Sequence, residues 1–336
     1  MRRWLKPGPI GALGLLVLVA LAVLWITPSD DYIFLPDPAQ PLAPKVFVQG
    51  EGPDRNGGGI YFVDVHIRKA SILESHFPGI HDGATLLPAN EFVPRGTSEK
   101  QRFKEDLQDM RRSQRVAAAV ALRQAGYDVK VVPSGALITT IFIDTPAAQK
   151  LHAGDVVVAV DGTRVLRPDA AGSLIRARRP GQTVRLRVRR GKRLVDLVLR
   201  TIADPNHPKR PIVGIGIAQA AAIHLPIKVR IDLGRVGGPS AGLAFALDIL
   251  DELGRNVDHG LKVAATGELA LDGSVHPIGG VKQKTIGARQ AHVDVFLVPA
   301  GENAAEAKRF ADGLRIVPVS NFRQALQALA TLAKTA

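Results

Sequence analysis

The first regular pattern in the chain is an apolar run over residues 9–27, with no charged residue between Lys6 and Asp30. About 20 apolar residues suffice for a helix to cross the hydrocarbon core of a bilayer. The pattern therefore predicts one transmembrane helix within residues 1–29. The alternative is a cleaved signal peptide, but residues 25–28 offer no small-x-small cleavage site. A retained anchor is favoured for this reason.

Charged residues on both sides of the run predict its orientation. Arg2, Arg3 and Lys6 precede it, and Asp30 and Asp31 follow it. Basic flanks stay on the cytoplasmic side of a membrane. We therefore expect a single-pass protein of the cell membrane with a cytoplasmic N-terminus and the bulk of the chain outside the cytoplasm.

Beyond this run, strand-like and helix-like patterns alternate. Residues 30–44 are rich in proline and are predicted to form a stiff spacer. Strand-like runs follow at 46–48 and 60–65, and helical spacing of apolar positions extends from 98 to 126. Strands and helices alternate again after residue 205. The pattern predicts an α+β fold.

One amphipathic stretch begins at Ser240. Its apolar positions recur at helical spacing and are Leu243, Ala246, Leu247, Leu250 and Leu253. Glycines on both sides of the serine permit a tight turn. Ser240 is therefore predicted at a helix start, where backbone N–H groups and the helix dipole can stabilise an oxyanion. The simpler interpretation is that Ser240 only caps the helix.

A second predicted helix, after Gly280, contains two lysines. Lys284 shares a face with apolar residues at i−3, i+4 and i+7, whereas Lys282 shares a face with Arg289. A lysine acts as a base only when burial lowers its pKa. Periodicity therefore selects Lys284 as the candidate base for Ser240, although most lysines in helices are solvated.

Three motifs, taken in order, resemble the proteolytic domain of the Lon protease family. They are Gly238-Pro239-Ser240-Ala241-Gly242, Thr266-Gly267-Glu268 and Pro277-Ile278-Gly279-Gly280-Val281-Lys282-Gln283-Lys284. The resemblance implies a serine endopeptidase with a Ser–Lys dyad and a domain formed by residues 45–131 and 205–336.

The resemblance also implies roles for single residues. Ser240 would be the nucleophile, Lys284 the base, and Thr266 would hydrogen-bond and orient the lysine amine. Gly238 and Ala241 flank the serine as supporting residues, and backbone N–H groups around it would hold the oxyanion.

One departure from the family pattern affects the subfamily. Gly237 lies three positions before the serine, where ATP-dependent Lon proteases commonly have an acidic residue. The Gly-Gly-Pro-Ser form instead resembles the membrane-anchored, PDZ-containing Lon-like branch. That branch assignment agrees with the predicted N-terminal anchor.

Residues 132–204 interrupt the Lon-like pattern and resemble a bacterial-type PDZ domain, chiefly through the run from Gly154 to Gly162. Such domains bind peptide C-termini by adding a strand to a sheet edge. Gly135, Ala136 and Leu137 are the predicted peptide-binding loop. The alternative is a domain that only packs against the protease.

Composition excludes several classes of function. The chain has no cysteine, which excludes disulfides and thiol catalysis. Its net charge is +13, but the densest basic stretch, residues 185–193, alternates arginine with apolar residues as on a solvated hairpin. It lacks interleaved aromatic residues, so nucleic acid is not an expected partner, and a nucleic-acid-binding module remains only an alternative.

The sequence contains no Walker A pattern. We therefore expect an ATP-independent protease that acts on exported or membrane-proximal peptides and unfolded proteins. No cofactor or metal is predicted. The family resemblance implies a ring-like homo-oligomer. The main alternative is a non-catalytic scaffold whose PDZ domain recruits exported partners.

Overall fold

The computed structural model describes residues 9–50, 52, 57–93 and 98–333. The helices are α1 (Pro9–Ile26), α2 (Ile72–His76), α3 (Ala89–Phe92), α4 (Glu99–Gln124), α5 (Pro168–Arg176), α6 (Gly242–Glu252), α7 (Val281–Gln290), α8 (Glu302–Arg309) and α9 (Phe322–Ala333), with a 3-10 turn at Pro78–Ile80. The strands are β1 (Pro28–Pro36), β2 (Gln40–Pro41), β3 (Val46–Val48), β4 (Gly59–Phe62), β5 (Val65–Ser71), β6 (Thr85–Leu87), β7 (Lys130–Ile141), β8 (Val156–Val160), β9 (Thr163–Arg164), β10 (Thr183–Arg190), β11 (Arg193–Arg200), β12 (Ile202–Asp204), β13 (His207–Ile212), β14 (Ile215–His224), β15 (Val229–Ile231), β16 (Lys262–Ala265), β17 (Glu268–Leu269), β18 (Val275–His276), β19 (Val295–Pro299) and β20 (Arg315–Val319).

A five-stranded sheet in the order β2-β4-β16-β19-β20 forms the centre of the larger domain. Its last four strands are parallel. On β19, Val295 and Leu297 enter a core shared with α4 and α6, and Phe296 and Val298 enter a second core shared with α7 and α8. Parallel strands buried on both faces have continuous apolar sequences. The predicted α+β class is confirmed.

A second sheet, in the order β11-β10-β8-β7-β14, has its own apolar core closed by α5. Its pairings are antiparallel, and β10 alternates buried Val184, Leu186 and Val188 with arginines. The predicted arginine-rich hairpin is confirmed, because β10 pairs with β11 in register up to the turn at Gly191, whose φ is 59°.

The predicted spacer over residues 30–44 is in part a strand. β1 pairs with both β5 and β6, and Tyr32 and Ile33 are buried. The apolar run from Tyr32 to Leu35 explains the difference, because it packs against α7 of the larger domain and is not exposed to solvent as a spacer would be. This three-stranded sheet forms one wall around the site described below.

Helix α1 occupies the apolar N-terminal run. Across the residues that the structure describes, no helix is long and apolar enough to cross a membrane. The predicted transmembrane helix is therefore not supported. Arg2, Arg3 and Lys6, from which its orientation was predicted, lie outside the described residues.

Candidate active site

Ser240 lies in a tight turn that leads into α6. The helix begins at Gly242, two residues later than the sequence pattern suggested. Gly238 has a φ of 89°, which favours glycine, and its N–H donates to the carbonyl of Asp106 on α4 at 2.8 Å. The hydroxyl of Ser113, also on α4, donates to the carbonyl of Pro239 at 2.9 Å. Helix α4 therefore holds the turn from one side.

The other side of the turn is held by the segment that follows β16. The carbonyl of Ser240 accepts from the N–H of Gly267 at 2.7 Å and from the hydroxyl of Thr266 at 3.1 Å. The family resemblance predicted that Thr266 would bond to the lysine amine. In the structure the buried hydroxyl of Thr266 bonds to the serine backbone instead, so it fixes the nucleophile rather than the base.

Lys284 reaches the serine from α7. Its side chain is only 4% exposed, and its Nζ donates to Oγ of Ser240 at 2.8 Å. The helix begins after Gly280, whose φ is 70°, and Val281 and Ala288 bury the same face. The apolar stripe that includes Lys284 therefore directs its amine into the site.

Burial changes the acid–base behaviour of the lysine. It lowers the pKa of Lys284 to about 8, while the carboxyl of Asp64 acts in the opposite direction. About a tenth of the amine is therefore neutral at pH 7, compared with less than about a thousandth for an ordinary lysine. A neutral amine at this distance can accept the hydroxyl proton of Ser240.

Lys282 has different surroundings, although it lies two residues away on the same helix. It is half-buried, and its Nζ donates to the carbonyl of Ala84 at 3.0 Å and lies 5.6 Å from the ring centre of Phe310. Gln283 is bonded to Gly83 and Thr85 nearby. These contacts attach α7 to the N-terminal sheet and leave Lys284 as the amine at the serine.

Two carboxyl groups that the sequence analysis missed lie in the same site. Burial and the neighbouring Asp37 raise the pKa of Asp64 to about 6, with Lys284 opposing the rise. Asp64 follows β4, and Thr266 follows the adjacent parallel strand β16. Residues at the carboxyl ends of neighbouring parallel strands meet at one sheet edge, and this pairing brings Asp64 into the site.

Ser240 and Lys284 open into a cavity of about 890 Å³. Half-buried aromatic side chains of Phe34, Phe92 and Phe103 form part of its wall, and the rings of Phe34 and Phe92 meet edge to face at 5.5 Å. These aromatic residues come from β1, α3 and α4. The N-terminal part of the chain therefore completes the cleft around the serine.

The structure does not place Gly135, Ala136 and Leu137 in a peptide-binding loop. All three lie within β7, which has β14 on one side and β8 on the other. An extended peptide needs a free sheet edge to add a strand, so this prediction is wrong. The glycine is explained by packing, because a side chain at residue 135 would meet the carbonyl oxygen of Val157 at 2.6 Å.

Strand β14 lies at one edge of this sheet, and β11 lies at the other. A cavity of about 550 Å³ lies between the start of β14 and α5, lined by Ile215, Ile217 and Arg176 among others. Further along β14, the carbonyl of Ile223 accepts from Arg115 of α4 at 2.7 Å. Helix α4 therefore contacts this strand as well as the serine turn.

Two families match separate segments of the chain. Residues 216–331 match the Lon protease (S16) C-terminal proteolytic domain, and residues 122–201 match the PDZ domain. The chain has a Lon-type proteolytic domain and a PDZ domain. The Lon protease (S16) family, to which residues 216–331 are similar, consists of serine proteases with a Ser–Lys dyad.

Curated relatives match this chain over segments of 72 to 92 residues. Lon protease 2 of Bacillus subtilis is 37% identical over 92 residues, which cover 27% of this chain and 16% of the relative. Lon protease 1 of Thermus thermophilus is 47% identical over 72 residues, which cover 21% and 9%. The match therefore spans only 9% to 16% of the length of these two Lon proteases.

Among solved structures, the PDZ domain of an SdrC-like protein from Listeria monocytogenes is 27% identical. It covers 26% of this chain and 93% of its own chain, with a TM-score of 0.25.

Proposed function

We propose that the protein is an ATP-independent serine endopeptidase that cleaves peptides and unfolded proteins, with Ser240 as nucleophile and Lys284 as base. The proposal rests on one observation: a buried lysine amine lies 2.8 Å from a serine hydroxyl at the wall of an open cleft. A lysine can activate a serine when its amine is neutral. The similarity to the Lon-type domain supports the same assignment.

In the proposed acylation step, Oγ of Ser240 attacks the scissile carbonyl while its proton passes to Nζ of Lys284. The N–H of Gly238 already donates to Asp106, so we assign the oxyanion to the N–H groups of Ser240 and Ala241. The tetrahedral intermediate then collapses. The C–N bond breaks, and the ammonium of Lys284 gives its proton to the leaving amine.

Deacylation follows the same proton path in reverse order. The neutral amine of Lys284 takes a proton from a water that attacks the ester carbon. The C–O bond to Ser240 then breaks, and the proton returns to the serine oxygen. Thr266 and Gly267 keep the serine backbone in place through both steps.

The substrate is proposed from the cleft and from the sequence. The sequence contains no Walker A pattern, and we propose a substrate that is already unfolded. The aromatic wall formed by Phe34, Phe92 and Phe103 favours segments with large apolar side chains near the scissile bond. Such side chains are abundant in unfolded proteins and are buried in folded ones.

We assign peptide recognition in the PDZ domain to the groove between α5 and β14. The free edge of β14 supplies unpaired backbone groups, and the apolar lining accepts side chains of an added strand. Arg176 is exposed at this groove and can pair with a peptide carboxylate.

The location of the catalytic domain outside the cytoplasm remains part of the proposal. It rests on the charges around the N-terminal apolar run, basic before and acidic after. A reporter that is active only outside the cytoplasm, fused after Asp31, tests it. An inactive reporter in that fusion would remove this part of the proposal.

The activity is tested with the full chain, unfolded casein and a peptide pool, without ATP. Ser240→Ala and Lys284→Met are compared with the wild type, and cleavage sites are mapped by mass spectrometry. We expect cleavage by the wild type alone, at sites next to large apolar residues. A folded wild-type protein that cleaves nothing would favour the scaffold alternative.

A further inference from the structure

Asp64 is a buried acid in the cleft for which the proposed mechanism has no use. It follows β4 at the sheet edge where Thr266 follows β16, and it lines the same cavity as Ser240 and Lys284. Its Oδ1 is buried and has no hydrogen-bond partner in the described part of the chain. An unpaired buried carboxyl oxygen costs folding free energy, so a contribution to stability does not explain the presence of Asp64 here.

The charges around Asp64 come from several elements. Lys284 faces it from α7 and Asp37 from the segment after β1, and both act on its ionisation. The remaining titratable side chains of the cavity are those of Tyr32, His66, Glu99, Lys100, Arg102, Asp106 and Arg235. Of all these groups, Asp64 is the one whose charge acts on Lys284.

The reaction makes the charge of the lysine change during each turnover. When the proton of Ser240 passes to Lys284, an ammonium forms on a side chain that is only 4% exposed. A nearby carboxylate stabilises this ammonium in the transition state. The same carboxylate disfavours the neutral amine in the resting enzyme. Asp64 therefore has opposite effects on the two forms of the base.

We propose that Asp64 is a positioning residue that acts through Lys284, stabilising its ammonium form during acyl transfer at the expense of the neutral amine at rest. The proposal rests on the proposed function of the dyad. It assigns to the carboxyl of Asp64, whose buried Oδ1 has no hydrogen-bond partner in the described part of the chain, a role in the balance between the ammonium and the neutral amine.

Asp64→Asn is the decisive variant, because it keeps the shape and removes the charge. We expect the plateau of kcat/KM at high pH to fall about tenfold, since transition-state stabilisation is lost. We also expect the acidic limb of the pH profile to move to lower pH, since the neutral amine becomes easier to form. A merely structural role would lower activity at every pH without moving this limb.

Asp106→Asn is the matched control. Asp106 lines the same cavity, and the charges that act on it are those of Arg102, Asp109 and Glu105 rather than Lys284. We expect its pH profile to retain the wild-type limb. Asp64→Glu restores a carboxylate and should return the limb towards its wild-type position. A limb that moves equally in Asp106→Asn would overturn the proposal.

A titration of the amine separates this inference from the proposed function. The pKa of Lys284 is measured by NMR in the Ser240→Ala protein, with and without Asp64→Asn, so no catalysis is needed. A fall of the pKa by about one unit on removal of Asp64 supports the inference. An unchanged pKa overturns it, even if the wild type is an active protease. A lowered pKa in a protein that cleaves no substrate would refute only the proposed function.

Discussion

Two polar contacts of equal length lie in different parts of the molecule. In the catalytic domain, Nζ of Lys284 lies 2.8 Å from Oγ of Ser240. In the PDZ domain, Nε of Arg187 lies 2.8 Å from Oδ1 of Asp196. The first pair is enclosed, with the lysine 4% exposed, whereas both side chains of the second pair are more than half exposed.

The comparison shows that burial, and not distance, determines what a contact can do. Water screens the exposed pair, and such pairs contribute little to stability. Enclosure of Lys284 instead changes its pKa and makes the amine a usable base. Each prediction below tests one side of this difference.

The largest effect is expected on cleavage. Ser240→Ala removes the nucleophile and Lys284→Met removes the base with little change of volume, so each should lower kcat/KM by at least about 10³-fold. Rates on a fluorogenic peptide measure this. Lys282→Met is the matched control, because its amine is bonded to Ala84, and it should retain most of the activity. Equal losses in the two lysine variants would contradict the assignment of the base.

The second prediction concerns stability. The pKa of Lys284 is about 8 in the folded state and about 10.5 in an unfolded chain. The folded state therefore binds fewer protons between these values, and stability rises with pH across this window. Below about pH 8 the buried ammonium costs roughly 3 kcal/mol. Lys284→Met should therefore raise the free energy of unfolding at pH 7 by much of this amount, as measured by urea unfolding. A variant less stable than the wild type would contradict the prediction.

The third prediction concerns the pH dependence of the wild type. The reaction needs the neutral amine, so kcat/KM should rise about tenfold per unit below the pKa of Lys284 and level off above about pH 8. A profile measured on a peptide without titratable side chains tests this. A plateau that extends down to pH 6 would mean that another base is used.

Several parts of this arrangement could be predicted from the sequence. The position of Lys284 follows from helical periodicity, because the apolar residues at i−3 and i+4 mark the face that packs inward. The alternation in β10 predicted its arginine-covered face. These are local patterns, and a local pattern is sufficient where one face of one element decides the outcome.

Other parts depend on pairing between distant segments. The sequence around Gly135 resembles a binding loop, but only the sheet order shows that β7 has a neighbour on both sides. The run Tyr32–Leu35 lies among prolines and shows no sign of its partners β5 and β6. Asp64 becomes notable only beside Lys284, which is 220 residues away in the chain. The sequence of a single segment does not reveal contacts of this kind between distant parts of the chain.

The fourth prediction concerns the PDZ groove. Arg176→Glu places a negative charge where we expect a peptide carboxylate, and it should weaken peptide binding several-fold up to about tenfold. Fluorescence anisotropy with labelled peptides in the Ser240→Ala protein measures this. Arg193→Glu, on the exposed hairpin, is the charge-matched control and should leave binding unchanged. An amidated peptide that binds as tightly as the free acid would contradict the role of Arg176.

The smallest effect is expected at the exposed pair. Arg187→Ala and Asp196→Ala should leave the melting temperature and the cleavage rate unchanged within error, because water replaces the lost partner. Thermal unfolding and the peptide assay measure both. A clear loss of stability in either variant would mean that exposure does not screen this contact, and the comparison above would fail.

Helix α4 contacts the serine turn through Asp106 and the edge strand β14 through Arg115. Nine residues separate these two positions, which corresponds to about 13 Å along one continuous helix. The helix has no proline or glycine between them. The serine turn and the strand beside the PDZ groove therefore contact the same continuous helix. A rigid displacement of α4 would move both contacts together.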